Sequence, residues 1–192
     1  MEPSLPPPLP PVPDLLHPVY AFRDWRLTAD GLTSPRTGVR WPGPVLTAEC
    51  RPRTPESLIR PPHHAPGRDC SCGIHGYFQP GYDTSKVDYR GVTGIIRVWG
   101  EVELHHEGVR AQFARVEALG VYARWTRRQK EAVNDVAAEL GVDVVDLHDL
   151  EAAAARYARA VPPELVPAAR RSRRSSADMR AAPTARLVIV GR

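Results

Sequence analysis

The stretch RGVTGIIRVWGEVELHHEG, residues 90–108, carries the strongest strand signal in the chain. It is rich in β-branched residues and bounded by glycines, the composition of a strand that crosses a sheet. In a regular strand Ile95, Arg97 and Trp99 face one way, and Ile96, Val98 and Gly100 face the other. Gly100 in mid-run predicts a bulge or a close backbone approach. The segment that follows, VRAQFARVEAL (109–119), fits either a pairing strand or the start of a helix.

Upstream, VYAFRDWRLT (19–28) alternates large apolar with polar residues, as a half-buried strand does. VRWPGPVLTAEC (39–50) carries two prolines and reads as an irregular edge strand, because proline cannot donate to a ladder. Downstream, TRRQKEAVNDVAAELGV (126–142) is the clearest helix. Thr126 and Gln129 form a capping box, Val133, Val136, Ala137 and Leu140 share one face, and Gly141 is the stop. Arg127, Arg128, Lys130 and Glu131 fit its solvated face. VDVVDL (142–147) suits a short strand, and DLEAAAARYARA (149–160) a second helix ended by Pro162 and Pro163.

Composition bounds the rest. The chain has 192 residues, 42% hydrophobic and 25% charged, as expected of one globular domain with extensions. Proline is abundant, at 21 residues, and the basic residues are almost all arginine, a bias expected of GC-rich codons rather than of RNA binding. Eight of the first eighteen residues are proline, so 1–18 should be a disordered, extended arm containing P-x-x-P patterns. This start has neither a basic region nor a continuous apolar run, and nowhere do eighteen apolar residues follow one another. No secretory signal and no membrane span are therefore expected, and the expected location is cytoplasmic. Residues 168–192 contain seven arginines and one aspartate, whereas 1–167 is net −2. The basic tail, Arg170, Arg171, Arg173 and Arg174 above all, offers non-specific nucleic-acid affinity through counterion release. It lacks interleaved aromatics, and a flexible terminus explains it as well. LVIVG near its end (187–191) fits either a late strand or an unpaired apolar stub.

Residues 51–72 form a proline-studded loop too long to be expected in a compact domain without something to hold it. It leads into HHAPGRDCSCGIH (63–75), with Cys50 upstream. Three cysteines are an odd number, which in a reducing compartment leaves metal binding, catalysis or burial. Cys50, Cys70 and Cys72 with His63 or His64 supply the four soft donors that zinc favours, and His75 is a further candidate. Three cysteines and a histidine also suit an iron–sulfur cluster as the minority alternative. A catalytic thiol is the competing reading: Cys70 or Cys72 as the nucleophile, deprotonated by His63, His64 or His75 as base, with Arg68 favouring the thiolate. An ordinary loop with one or two buried thiols is the third. His105, His106 and Glu107 are either the polar exit of a strand into the turn at Gly108, or metal ligands and acid–base groups.

Three pieces together resemble a group of small proteins of high-GC Gram-positive bacteria. They are the opening strand with Trp25, the block from Cys50 through HHAPGRDCSCGIHGYF, and VWGEVELHHEGVRAQFA. The shared pattern, a cysteine, then H-x-P, C-x-C-G and W-G-x-V-x-x-H, falls on Cys50, His64, Pro66, Cys70, Cys72, Gly73, Trp99, Gly100, Val102 and His105. The resemblance covers about residues 19–122. It implies His64 rather than His63 as the histidine ligand and a role for His105, and it brings no activity with it.

The expected fold is α+β: a small, mainly antiparallel sheet or partial barrel with a metal-clasped loop and two C-terminal helices. It should occupy 19–161, between the proline arm (1–18) and a basic, flexible tail (162–192). The expected function is that of a zinc-stabilised binding or adaptor protein rather than an enzyme. Its ligands would be Cys50, His64, Cys70 and Cys72, with His63 and His75 as alternatives, and its partner a protein or nucleic acid. The alternative is a metal- or Cys/His-dependent enzyme using Cys70, Cys72 and His64 with His105 and Glu107.

Overall fold

The computed structural model describes residues 17–50, 63–81, 91–169 and 184–191. In chain order these form β1 (Val19–Thr28), β2 (Gly31–Thr33), β3 (Val45–Thr47), β4 (Ile74–Tyr77), β5 (Gly91–His105), β6 (Gly108–Val121), α1 (Arg127–Leu140), β7 (Asp143–Asp146), α2 (Leu150–Ala154) and β8 (Ala185–Ile189).

The β-branched run lies in β5, and the segment after it, which fitted either a strand or a helix, pairs with it as β6. His105 lies opposite Gly108 across a turn of His106 and Glu107, and from there the ladder runs back to Gly94 opposite Leu119. Alternation decides the strand over the helix: Ala114 and Val116 are buried in the main core, while Phe113, Arg115 and Glu117 are partly exposed. A register shift between Ile95 and Ile96 then turns Ala118 to the other face. The register shifts between Trp99 and Val102, where Gly100 takes φ +79. A Cβ there would lie 2.6 Å from the Gln112 Oε1 and from the Phe113 ring, so Gly100 serves both the bulge and the close approach.

Every other strand attaches to this hairpin, directly or through a neighbour. On the outer edge of β5, β1 pairs from Gly91 to Val98, and β8 takes over from Gly100 to Leu104, beyond the bulge. Along the outer edge of β6 come β4 at Gly108–Ala111, β3 at Phe113–Arg115 and β7 at Ala118–Val121. β2 pairs with the end of β1. Phe22 opposite Tyr77 joins β1 to β4, which closes the circuit β1–β5–β6–β4. All pairings between the strands are antiparallel except β6–β7, whose crossover is α1.

The inside of this circuit holds the main core, with Trp25, Trp41, Ile96 and Val116 among its members, and Val133 and Ala137 of α1 pack against it. Trp25 and Trp41 meet edge to face at 5.4 Å. On the opposite face Phe22, Ile95 and Ala118 are covered by Leu150, Ala153 and Ala154 of α2. Ile95 and Ile96 thus fall on opposite faces, as the strand alternation requires.

α1 begins and ends as its sequence predicts. The Thr126 side chain accepts from the Gln129 N–H at 3.3 Å, and the Thr126 N–H donates to the Gln129 side chain at 2.9 Å. The Gly141 N–H donates to the carbonyls of Ala137 and Ala138. The second helix is much shorter than the expected 149–160. After Ala154 the hydrogen bonds tighten, Arg156 to Ala153 and Tyr157 to Ala154, and the chain turns so that the Arg159 carbonyl accepts from the Tyr20 N–H at 2.9 Å. Pairing with the start of β1 therefore outcompetes further helix in an alanine-rich segment that buries little.

At the end of the tail, the strand alternative for LVIVG is the one observed. Residues 163–165 form a helical turn, and 185–189 add a strand to the sheet with Leu187 and Ile189 buried. The reason is an open edge: β1 stops pairing with β5 at Val98, and an apolar strand completes the ladder. Residues 1–16 of the proline arm and 170–183 of the tail, which includes Arg170, Arg171, Arg173 and Arg174, lie outside the described residues. Among the described residues no helix is long and apolar enough to cross a membrane.

Three substitutions check this packing by denaturant unfolding. Leu150→Ala, at a fully buried site on the core-facing side of α2, should cost about 2–5 kcal/mol. Thr126→Ala should cost about 1 kcal/mol through the lost cap. Val188→Thr, which is 57% exposed, should stay within about 0.5 kcal/mol of the parent.

Candidate metal centre

The centre forms where two short strands meet end to end along β6. β3 pairs down to Phe113, and one further bond, from the Ala48 N–H to the Gln112 carbonyl at 2.7 Å, continues that pairing. β4 begins at the next position, with Ile74 opposite Ala111. The chain leaving β3 reaches Cys50, and the chain approaching β4 carries Cys70 and Cys72. Both are thereby brought to the same part of the edge.

Cys50 Sγ lies 3.7 Å from Cys70 Sγ, and His63 Nε2 lies 3.3 Å from Cys72 Sγ. One donor atom from each of Cys50, His63, Cys70 and Cys72 lies within 4.8 Å of all the others. Among the described residues no other group of three or more metal-ligating side chains is gathered in this way. A tetrahedral ion with metal–sulfur bonds of about 2.3 Å places its sulfurs about 3.8 Å apart, so the four donors fit the shell of one ion.

The loop is shaped for this gathering. The Gly67 N–H donates to Cys72 Sγ at 3.2 Å, the type of backbone bond that orients a ligating sulfur. The His63 ring lies over Gly67, where an added Cβ would be 2.4 Å from Cδ2 and 2.6 Å from Nε2. Ala65, Pro66 and Gly67 are buried, and the Ala65–Pro66 bond is cis.

Beneath the loop lies a buried arginine. Arg110 of β6 is 6% exposed and donates to the Cys70 carbonyl, to the Cys72 carbonyl at 3.1 Å and to the Gly67 carbonyl at 3.4 Å. Its charge is met by Glu103 of β5, 4% exposed, at 2.5 Å. Three carbonyls of the ligand loop are thereby satisfied by one fixed fork of donors. Arg186 of β8 reaches Glu103 at 3.5 Å and donates to the Pro66 carbonyl at 3.2 Å.

The three thiols differ in acidity. Burial pushes Cys50 up to about 11, reinforced by its hydrogen bond with Cys70. Burial also acts to raise Cys70, but hydrogen bonds from the Cys72 backbone and from the Cys72, Cys50 and His63 side chains outweigh it and bring Cys70 down to about 7. Cys72 is raised, first by burial, against the Gly67 N–H. Of the three, Cys70 is therefore the most acidic thiol, and Cys50 and Cys72 hold their protons to higher pH.

The structure settles the position of each expected residue. Cys50, Cys70 and Cys72 come together, but the histidine beside them is His63; His64 is exposed and outside the group. Adjacent side chains leave an extended backbone in different directions, and only His63 has the bare Gly67 backbone to lie against. His75 is exposed on β4 and its ring bonds the Ser71 carbonyl at 3.0 Å, while Arg68 is exposed on the turn. His105 faces the Glu103 carboxylate at 3.7 Å, and burial holds it below its ordinary value although Glu103 acts to raise it. His106 and Glu107 are exposed in the β5–β6 turn. Residue patterns alone missed Arg110, Glu103, Gly67 and Arg186. One signal was available: in a hairpin folded about His106–Glu107, Glu103 and Arg110 stand opposite each other.

Comparison with models of known protein families, with curated proteins and with solved structures gives no match to this chain.

Two outcomes follow from the geometry. Gly67→Ala should push the His63 ring off the cluster and weaken zinc binding about 10–100-fold, measured by competition with a chromophoric chelator. Glu103→Gln leaves the Arg110 charge buried without its counterion and should cost about 3–5 kcal/mol of unfolding free energy.

Proposed function

We propose that this chain is a zinc-stabilised binding protein whose ion clasps the 63–73 loop onto the sheet. The observation that carries the reading is the convergence of three sulfurs and one imidazole nitrogen within 4.8 Å. Three soft thiolates with an imidazole favour zinc over harder-ligand ions. The short span supports a single ion over an iron–sulfur cluster, which attaches its cysteines to separate irons and spreads them further apart. Four protein donors complete a tetrahedron without leaving a position for substrate, the arrangement of a structural rather than a catalytic site. His105 and Glu107, the acid–base groups of the enzyme reading, are not among the gathered donors. The ion would instead fix an exposed surface of His64, Arg68, Asp69 and Ser71 for a protein or nucleic-acid partner.

The test is elemental analysis of the purified protein together with cobalt substitution. One equivalent of zinc, and a cobalt spectrum with tetrahedral thiolate bands, is the expected result; protein without stoichiometric metal, folding equally well with a strong chelator, would sink it. His63→Ala should lower zinc affinity by more than about 100-fold, whereas His64→Ala should leave it unchanged.

The thiol acidities set the pH dependence. Cys50, at about 11, and Cys72, also raised, carry protons through the neutral range, and Cys70, at about 7, loses its proton there. Zinc displaces these protons, so affinity rises with pH. Near pH 8 about two protons leave per zinc, giving about 100-fold per pH unit, and below pH 7 Cys70 adds a third. Zinc titrations in buffers of different ionisation enthalpy count these protons directly.

A further inference from the structure

The ligand loop and the C-terminal strand share one buried ionic junction. Glu103 lies on β5, in register with Arg110 on its β6 side and with Arg186 on its β8 side. Both arginines approach the same carboxylate oxygen, at 2.5 Å and 3.5 Å. Both then continue into the loop: Arg110 to the carbonyls of Gly67, Cys70 and Cys72, and Arg186 to the carbonyl of Pro66. The 66–72 backbone therefore caps the junction from above, while β8 closes it from the side.

Besides this junction, β8 is held by its backbone pairing with Gly100–Leu104 of β5 and by its buried apolar side chains. It is five residues long, Val188 is exposed, and of its apolar side chains Leu187 and Ile189 are the buried ones. Arg186 is the side chain through which it contacts the loop. If the loop loses its shape, the Pro66 carbonyl leaves Arg186, and water reaches a carboxylate and a guanidinium that are 4% and 6% exposed when covered. Screening by water weakens the attraction that draws Arg186 inward.

We propose that Glu103, Arg110 and Arg186 are positioning residues that couple metal occupancy to the docking of β8 on β5. The inference rests on the zinc reading above. When zinc holds the 63–73 loop, Arg186 is seated and β8 completes the sheet. When zinc leaves, β8 lets go of β5 and exposes the edge from Gly100 to Leu104. Coupling of binding free energies is reciprocal, so whatever factor zinc contributes to β8 docking, a docked β8 returns to zinc affinity.

The experiment is amide hydrogen exchange of the full chain, with one equivalent of zinc and after chelation, followed peptide by peptide. Removal of zinc should speed exchange of the 185–189 amides about tenfold, while the amides of β1 paired to β5 keep their protection. In Arg186→Met, which keeps the stem and removes the guanidinium, β8 exchange should no longer respond to zinc. Zinc affinity in that variant should fall by the same factor that zinc contributes to β8 protection in the parent. Val188→Thr, on the same strand but facing solvent, should behave as the parent in both measurements. Unchanged β8 exchange on chelation, in protein whose cobalt spectrum shows an intact thiolate site, would overturn the coupling and leave the metal reading standing. Equal loss of protection in β1 and β8 would overturn it too, because the response would then be global. Absence of any zinc or cobalt binding would instead refute the metal reading itself.

Discussion

The pairing of β5 with β6 is the constraint on which the rest of this structure depends. Both strands are long enough to leave outer edges that no single partner covers, and the remaining strands divide those edges among them. β1 and β8 share one, on either side of the bulge at Gly100. β4, β3 and β7 share the other. A backbone edge cut off from water must find partners for its N–H and C=O groups, and here the partners come from both ends of the chain. Because closure of the circuit depends on non-local pairings, folding should be governed by the long-range assembly of these edges rather than by local helix formation.

The metal-ligating group is a product of the same edge. Between the stretch of β6 that takes β3 and the stretch that takes β4 there is a junction at Ala111–Gln112, and the two chain segments that meet there carry the cysteines. Only then does the ionic junction below become necessary. A loop of this kind brings several carbonyls against the sheet, and a buried Arg110 supplies their donors. A buried arginine in turn needs a carboxylate, which Glu103 provides from the neighbouring strand. Such a pair is costly to bury and more costly to break, so it fixes one arrangement of loop and sheet.

Much of this was legible in the residues. The strand at 91–105, the bulge at Gly100 and α1 with both of its caps follow from alternation, a lone glycine and a capping box, which are all local signals. The three cysteines could be assigned together because thiols near one irregular loop are seldom placed by chance. What was not legible depended on distant partners. The choice of His63 over His64 turned on where Gly67 passes beneath the ring. The shortening of α2 turned on Arg159 reaching β1, and the choice between a strand and an unpaired stub at LVIVG turned on an open edge of β5.

By itself, then, the sequence determined the periodic elements and the soft-donor chemistry, because both are written in side-chain types at short spacing. Only the tertiary structure decided which histidine joins the cysteines, what lies beneath their loop and where the end of the chain is bound. Those outcomes depend on the register of β6 against three short strands and of β5 against β8. Register is set by the sum of many weak contacts between residues far apart in the chain, and no local pattern records that sum.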